Sequence, residues 1–180
     1  MAVFEPFADV VQLDDYLTDE DVDPTGGLQA LEMASDLIRG YTRQVLSLVE
    51  GDVEVHDGAG HSVLLLRELP VVEVASVTVD GEPVTDWYAS EAGVLRRTDG
   101  ESWPLNEKVE VTYTHGYEDL PGDIVAVTLQ LAGRGVTNPS GIQREQLGQY
   151  AVTYTGGQVA GGTVGLTSGE KLVLDRYRVG

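Results

Sequence analysis

Three histidines, a dense set of carboxylates and four aromatic side chains are the groups in this chain that could do chemistry. His56 and His61 flank Asp57-Gly58-Ala59-Gly60, a spacing that would let two imidazoles and a carboxylate share a metal ion. The same Asp and glycines are what a hairpin turn requires, so a turn explains them without a metal. His115 closes an alternating run and precedes Gly116, and no nucleophile or second base travels with it. A hydrogen-bonded structural imidazole is the expectation there. GLTSGEK lacks the spacing of a phosphate-binding loop, GGTVG follows no strand-to-helix turn of the dinucleotide type, and no GxSxG elbow occurs. Cysteine is absent, which removes disulfides, thiolate metal sites and a cysteine nucleophile. Trp87, Tyr88, Trp103 and Tyr113 could form a platform for a sugar ring, or could line the aromatic side of a β core. The expectation is a chain that is not an enzyme, with no cofactor and no metal. A small β-rich module recognising carbohydrate or peptide through the Trp87 and Trp103 region stays open as the alternative.

Charge narrows the function further. The 180 residues carry 30 acidic and 11 basic side chains, a formal net charge of -19. Affinity for DNA comes mainly from clustered Lys and Arg, and no such cluster exists here. The first 38 residues hold ten carboxylates (Glu5, Asp9, Asp14, Asp15, Asp19, Glu20, Asp21, Asp23, Glu32 and Asp36) and neither Lys nor Arg. Such a stretch is either a solvated face or a wall that repels DNA and keeps free copies apart. No run approaches the length of a membrane span, and MAVFEPFADVV lacks the positive flank of a signal peptide, so a soluble cytoplasmic product is expected.

The elements that must position these residues follow from periodicity. Thr18 with Asp21 suggests a short helix start in LTDEDV, ended by Asp23-Pro24. A longer helix begins near residues 25–28, with Leu31, Ala34, Ile38, Tyr41, Val45 and Leu48 as its buried stripe. Gly40 within it costs about 1 kcal/mol relative to alanine, which usually signals close packing. Residues 52–114 read as short strands separated by Asp57–Gly60, Asp80-Gly81, Glu91–Gly93 and Asp99-Gly100. Asp80-Gly81 is the strongest hairpin signal, because a type I′ turn needs positive φ at both central residues. In VEVTYTHGYEDLPGDIVAVTLQLAGR the strand period of Val109, Val111 and Tyr113 gives way to the helical spacing of Ile124, Val127, Thr128 and Leu131. That helix is expected over 123–132, ended by Gly133 and Gly135. A strand-like YAVTYT and a glycine-rich stretch follow. Thr167 and Glu170 then form a capping-box pair before a short helix, Lys171 to Arg178. Eight residues are too few for an isolated helix, so it must dock on something.

The fold class is therefore α+β: a small helical core with an inserted antiparallel β subdomain, sandwich or open barrel, and an extended C-terminal arm ending in a short helix. Residues 1–180 are expected as one domain, divided into an N-terminal helical part (1–51), a β insertion (52–116), a second core helix (117–135) and a strand, arm and C-terminal helix (136–180).

LTDEDV, IRGYTR, ELPVVEVASVTVDG, the WP at Trp103-Pro104, VEVTYTHGYEDLPGDI, LAGR, GQYAVTY and LDRYR, taken as a set in this order, resemble the head-to-tail adaptor (connector) proteins of tailed double-stranded DNA bacteriophages. That resemblance implies a structural virion protein in the neck, assembled in the host cytoplasm as a ring of about twelve copies beneath the portal. It also implies three protein partners: the portal, a neck stopper or tail protein, and other copies of the chain. Double-stranded DNA would pass through as cargo without specific binding, and no membrane is involved. Many adaptors of this family are almost wholly helical, whereas residues 52–114 here read as β. With the resemblance, the C-terminal helix becomes the expected portal-docking element, through Leu172, Leu174, Arg176, Tyr177 and Arg178. The other reading of that helix is that it folds back on its own core.

Overall fold

The computed structural model describes residues 4–18, 22–137, 144–147, 150–153, 158–159 and 163–179. Its elements in chain order are α1 (Val10–Leu17), α2 (Pro24–Thr42), β1 (Val49–Asp57), β2 (Val63–Leu65), β3 (Val71–Val79), β4 (Glu82–Val84), β5 (Trp87–Ala89), β6 (Val94–Arg97), β7 (Lys108–His115), α3 (Gly122–Thr137), β8 (Arg144–Leu147), β9 (Tyr150–Thr153), β10 (Gln158–Val159), β11 (Thr163–Val164) and α4 (Ser168–Leu174), which runs into a 3-10 turn, Asp175–Tyr177. They separate into a helix-based unit, Met1–Arg43 with Leu120–Gly180, and an all-β unit, Gln44–Asp119. The class is α+β, as the periodicities require.

In the helix-based unit, Asp9 accepts the Gln12 amide at 2.8 Å while the Gln12 side chain accepts the Asp9 amide at 2.9 Å, a reciprocal cap that starts α1. Thr18 therefore ends a helix instead of beginning one, and its expected partner Asp21 lies outside the described residues. Asp23 caps α2 through the Gly26 amide at 2.8 Å, with Pro24 in the first helical position, where a missing N–H costs nothing. Leu31, Ala34 and Ile38 point inward as expected. The stripe stops earlier than its sequence suggests, because Arg43 adopts a left-handed conformation (φ 58) that ends α2. Val45 and Leu48 consequently belong to the β unit. α3 outruns its expected end at residue 132 and continues through Gly133 and Gly135. A Cβ on Gly133 would lie 3.3 Å from both Tyr16 and Leu17, so this glycine lets α1 pack close against α3. Leu13, Leu31, Ile38, Ile124 and Leu131 fill the core, each worth roughly 1.5–3 kcal/mol of apolar burial. β8 pairs with β9 and β10 with β11, both antiparallel. The glycine-rich stretch expected to form the arm falls partly outside the described residues.

The β unit holds a four-stranded sheet in the order β1-β7-β3-β4 and a three-stranded sheet in the order β2-β6-β5. Leu64 and Leu95 from one sheet meet Val77, Val109, Val111 and Tyr113 from the other, with Trp103 beside them, in one core. This is a small two-sheet sandwich, and neither sheet closes into a barrel. Asp80 (φ 48) and Gly81 (φ 87) make the β3–β4 hairpin turn with both residues at positive φ. The loop 57–60 is not a hairpin: β1 pairs with β7 and β2 with β6, so the chain crosses between sheets there. It is held by Gly58 N–H to Glu107 C=O at 2.8 Å and Gly60 N–H to Trp103 C=O at 2.9 Å. The unit begins before residue 52 because the Gln44 side chain already bonds the Arg67 carbonyl and the Leu69 amide, both at 2.6 Å.

Candidate interaction surface

Thr167 starts α4 with a capping box: its hydroxyl accepts the Glu170 amide at 3.2 Å and Glu170 accepts the Thr167 amide at 2.7 Å. The same Glu170 carboxylate takes two bonds from Arg134 on α3, at 2.7 and 3.0 Å. Burial opposes its charge, but Arg134 and the Thr167 amide outweigh that and hold its pKa below the usual carboxylate range. One turn later Leu174 enters the helical core with no exposed surface. Arg176 then pairs with Asp123 at the start of α3, and the Tyr177 hydroxyl donates to the same carboxylate at 2.8 Å. From α2, the Tyr41 hydroxyl donates to Asp175 at 2.6 Å, and the Thr42 carbonyl accepts the Val179 amide at 3.2 Å.

These contacts follow the second of the two readings of the C-terminal helix: it is seated on α2 and α3 of its own unit. Of the five residues expected to dock on a portal, Leu174 is inside and Tyr177 is half-buried against Asp123. Arg176 is exposed but paired, and Arg178 lies over the Tyr41 ring, 5.5 Å from its centroid. Leu172 alone is an open apolar group, 74% exposed, with exposed Lys171 beside it. Neither Lys171 nor Arg178 forms a salt bridge with a described carboxylate.

A second surface in this unit was not anticipated. The outer side of α1 presents Val11, 70% exposed, with the carboxylates of Asp14 and Asp15. The signal that could have found it is the Asp9–Gln12 capping pair, which fixes the helix start and hence which residues face out.

Most of the titratable groups singled out for chemistry lie in the β unit and form structural pairs. Glu54, 8% exposed, accepts the Tyr113 hydroxyl at 2.7 Å and the Arg67 amide at 3.1 Å. His56 Nε2 lies 2.9 Å from its other carboxylate oxygen. Burial would raise the Glu54 pKa, but His56, Tyr113 and the Arg67 amide together bring it to about 2. Burial and the adjacent carboxylate push the Tyr113 phenol up, so its proton stays on as a donor. A carboxylate so stabilised is a poor general base near neutral pH. His115 Nε2 contacts Asp52 at 3.3 Å, the hydrogen-bonded role expected of it. His56 and His61 do share the wall of a cleft of about 200 Å³ with Asp57 and Trp103, but no described group of three ligand side chains has metal-holding geometry. The four aromatics do not share one exposed platform: Tyr88 is open to solvent, but Trp103 and Tyr113 are not. Trp103 is 1% exposed and Tyr113 fully buried, both within the sandwich core, while the Trp87 indole donates to the Val84 carbonyl at 2.9 Å. No described helix is long and apolar enough to cross a membrane.

No family model matches the chain, and no curated protein resembles it. Solved structures do. The fold matches a chain in the neck of an empty gene transfer agent particle computed with C6 symmetry, at a TM-score of 0.66 and 18% identity. It likewise matches chains in the native virion of a gene transfer agent, at 0.65, and in the native neck computed with C12 symmetry, at 0.62. In each case the match covers 100% of this chain and 93% of the other.

Proposed function

We propose that this chain, which has the fold of a neck subunit of a phage-like particle, is itself a structural neck protein: a head-to-tail adaptor. Its copies form a ring, of about twelve if the symmetry of the similar necks carries over, that sits beneath the portal, extends the DNA channel and joins the head to the next neck or tail protein. The observation that carries this reading is a likeness in fold that runs the whole length of the chain. The acidic composition supports it, because a channel through which a duplex must slide gains from walls that do not hold phosphates. The Glu54, His56 and His115 pairings, which serve the fold, support a non-enzymatic role.

In this reading the C-terminal segment remains an attachment element in altered form. Leu174 and Tyr177 hold it on its own unit, and Leu172, Arg176 and Arg178 are what it offers to a neighbour, portal or copy. Electron microscopy of the purified chain mixed with a candidate portal protein tests the proposal. A ring added to the portal's distal face is expected; bare portals at saturating chain would overturn it.

A further inference from the structure

The three-stranded sheet of the β unit has an outer face whose side chains constrain what can cover it. Leu64 and Leu95 enter the sandwich core, so their neighbours along β2 and β6 point the other way. On that outer face Arg96 lies directly between Val63 of β2 and Tyr88 of β5, and Leu65 lies opposite Val94. Leu65 is 64% exposed and Tyr88 60%. Arg96 is exposed as well and forms no salt bridge with a described carboxylate, in a chain with 30 acidic side chains. Asp86 and Asp99, close by in sequence, act instead on Arg97, whose guanidinium lies over the buried Trp103 ring.

Tyrosine and arginine are the side chains that most often anchor protein contacts. A purely apolar partner would bury the Arg96 charge unpaired, which is strongly unfavourable. The partner must therefore bring a carboxylate beside its own apolar group. Resting on the ring reading, the adjacent copy supplies one. On its α1, Val11 is 70% exposed, with exposed Asp14 and Asp15 three and four residues on along the same side of the helix. No cation competes there, because the first 38 residues contain neither Lys nor Arg.

We infer that the outer face of β2, β6 and β5 docks on α1 of the adjacent copy, with Arg96 meeting the Asp14 and Asp15 carboxylates and Leu65 and Tyr88 covering Val11. Two different patches meet, so the contact passes from copy to copy around a ring instead of closing a dimer.

The absence of cysteine makes the test direct. Leu65→Cys and Val11→Cys are changes at exposed positions that leave both cores intact. The two variants are mixed at high concentration with diamide, and each is also oxidised alone. The mixed disulfide is expected to form at least about tenfold faster than either self-disulfide, and to lose that advantage in roughly 0.5 M salt. Adding Arg96→Glu to the first variant should remove the advantage, and adding Asp15→Arg to the second should restore it. Equal mixed and self rates, or a mixed rate indifferent to Arg96→Glu, would overturn the contact. Electron microscopy of the wild-type chain with a candidate portal separates the two levels. Rings from the wild type without the cross-link preference reject this contact alone. No rings under any condition reject the adaptor reading, while the cross-link rates still decide the contact.

Discussion

Arg134 on α3 and Glu170 on α4 form a bidentate ion pair, at 2.7 and 3.0 Å, in which the same carboxylate also caps its own helix. The C-terminal helix is thus fastened at its first turn by one buried carboxylate, 5% exposed, and at its far end by Asp123. Glu170→Ala removes both the pair and the cap, leaving Arg134 without its partner. We expect a loss of about 2–4 kcal/mol in urea unfolding. A change under about 0.5 kcal/mol would mean that the helix does not stay seated.

Leu174 and Leu172 sit two residues apart with opposite fates. Leu174→Ala should cost about 2–4 kcal/mol, because it opens a cavity in the helical core. Leu172→Ala should stay within about 0.5 kcal/mol. Truncation after Thr155 removes both, and it should destabilise the free chain by at least as much as Leu174→Ala, readable as a lowered melting temperature.

Glu54 gives the β unit an acid limit. Its folded pKa of about 2 lies below the ordinary 4.5, so its contribution is complete above the ordinary value and disappears as pH falls from about 4.5 towards 2. The amount at stake is on the order of 3 kcal/mol. Chemical unfolding at steps between pH 6 and 2 should show wild type losing stability through that window and Glu54→Gln changing far less. Parallel curves for the two proteins would refute the assignment.

Two glycines should respond to alanine in opposite directions. Gly116 has φ 89, and a Cβ there would fall 2.2 Å from the Ser47 carbonyl oxygen, so Gly116→Ala must pull apart the contact beside β7 and should cost more than about 2 kcal/mol. Gly40 lies in the last turn of α2 with nothing within 4 Å of a Cβ, contrary to the close packing its position suggested. Gly40→Ala should stabilise the free chain by about 0.5–1 kcal/mol in thermal melts.

How much of this was legible without the fold depends on how local each determinant is. The strand period of Val109, Val111 and Tyr113, the positive-φ turn at Asp80-Gly81 and the capping pair Thr167–Glu170 are fixed by neighbours within a few residues, and all three appear as their sequence implies. Helix ends were less legible. The left-handed Arg43 and the passage of α3 through Gly133 depend on which element packs beside the helix, and α1 went unrecognised although Asp9 and Gln12 marked its start.

The sequence by itself determined the α+β class, the acidic surface and the lack of thiol chemistry, because composition and short-range periodicity suffice for those. Only the tertiary structure decided that the loop at 57–60 crosses between sheets, that Trp103 is core and not platform, and that the C-terminal helix rests on its own unit. Each of these turns on partners far along the chain: Glu107 for Gly58, Leu95 and Val109 for the sandwich core around Trp103, Arg134 and Asp123 for Glu170 and Tyr177. Such pairings are set by which surfaces exclude water together, and periodicity shows that a face is apolar or charged without showing what it meets.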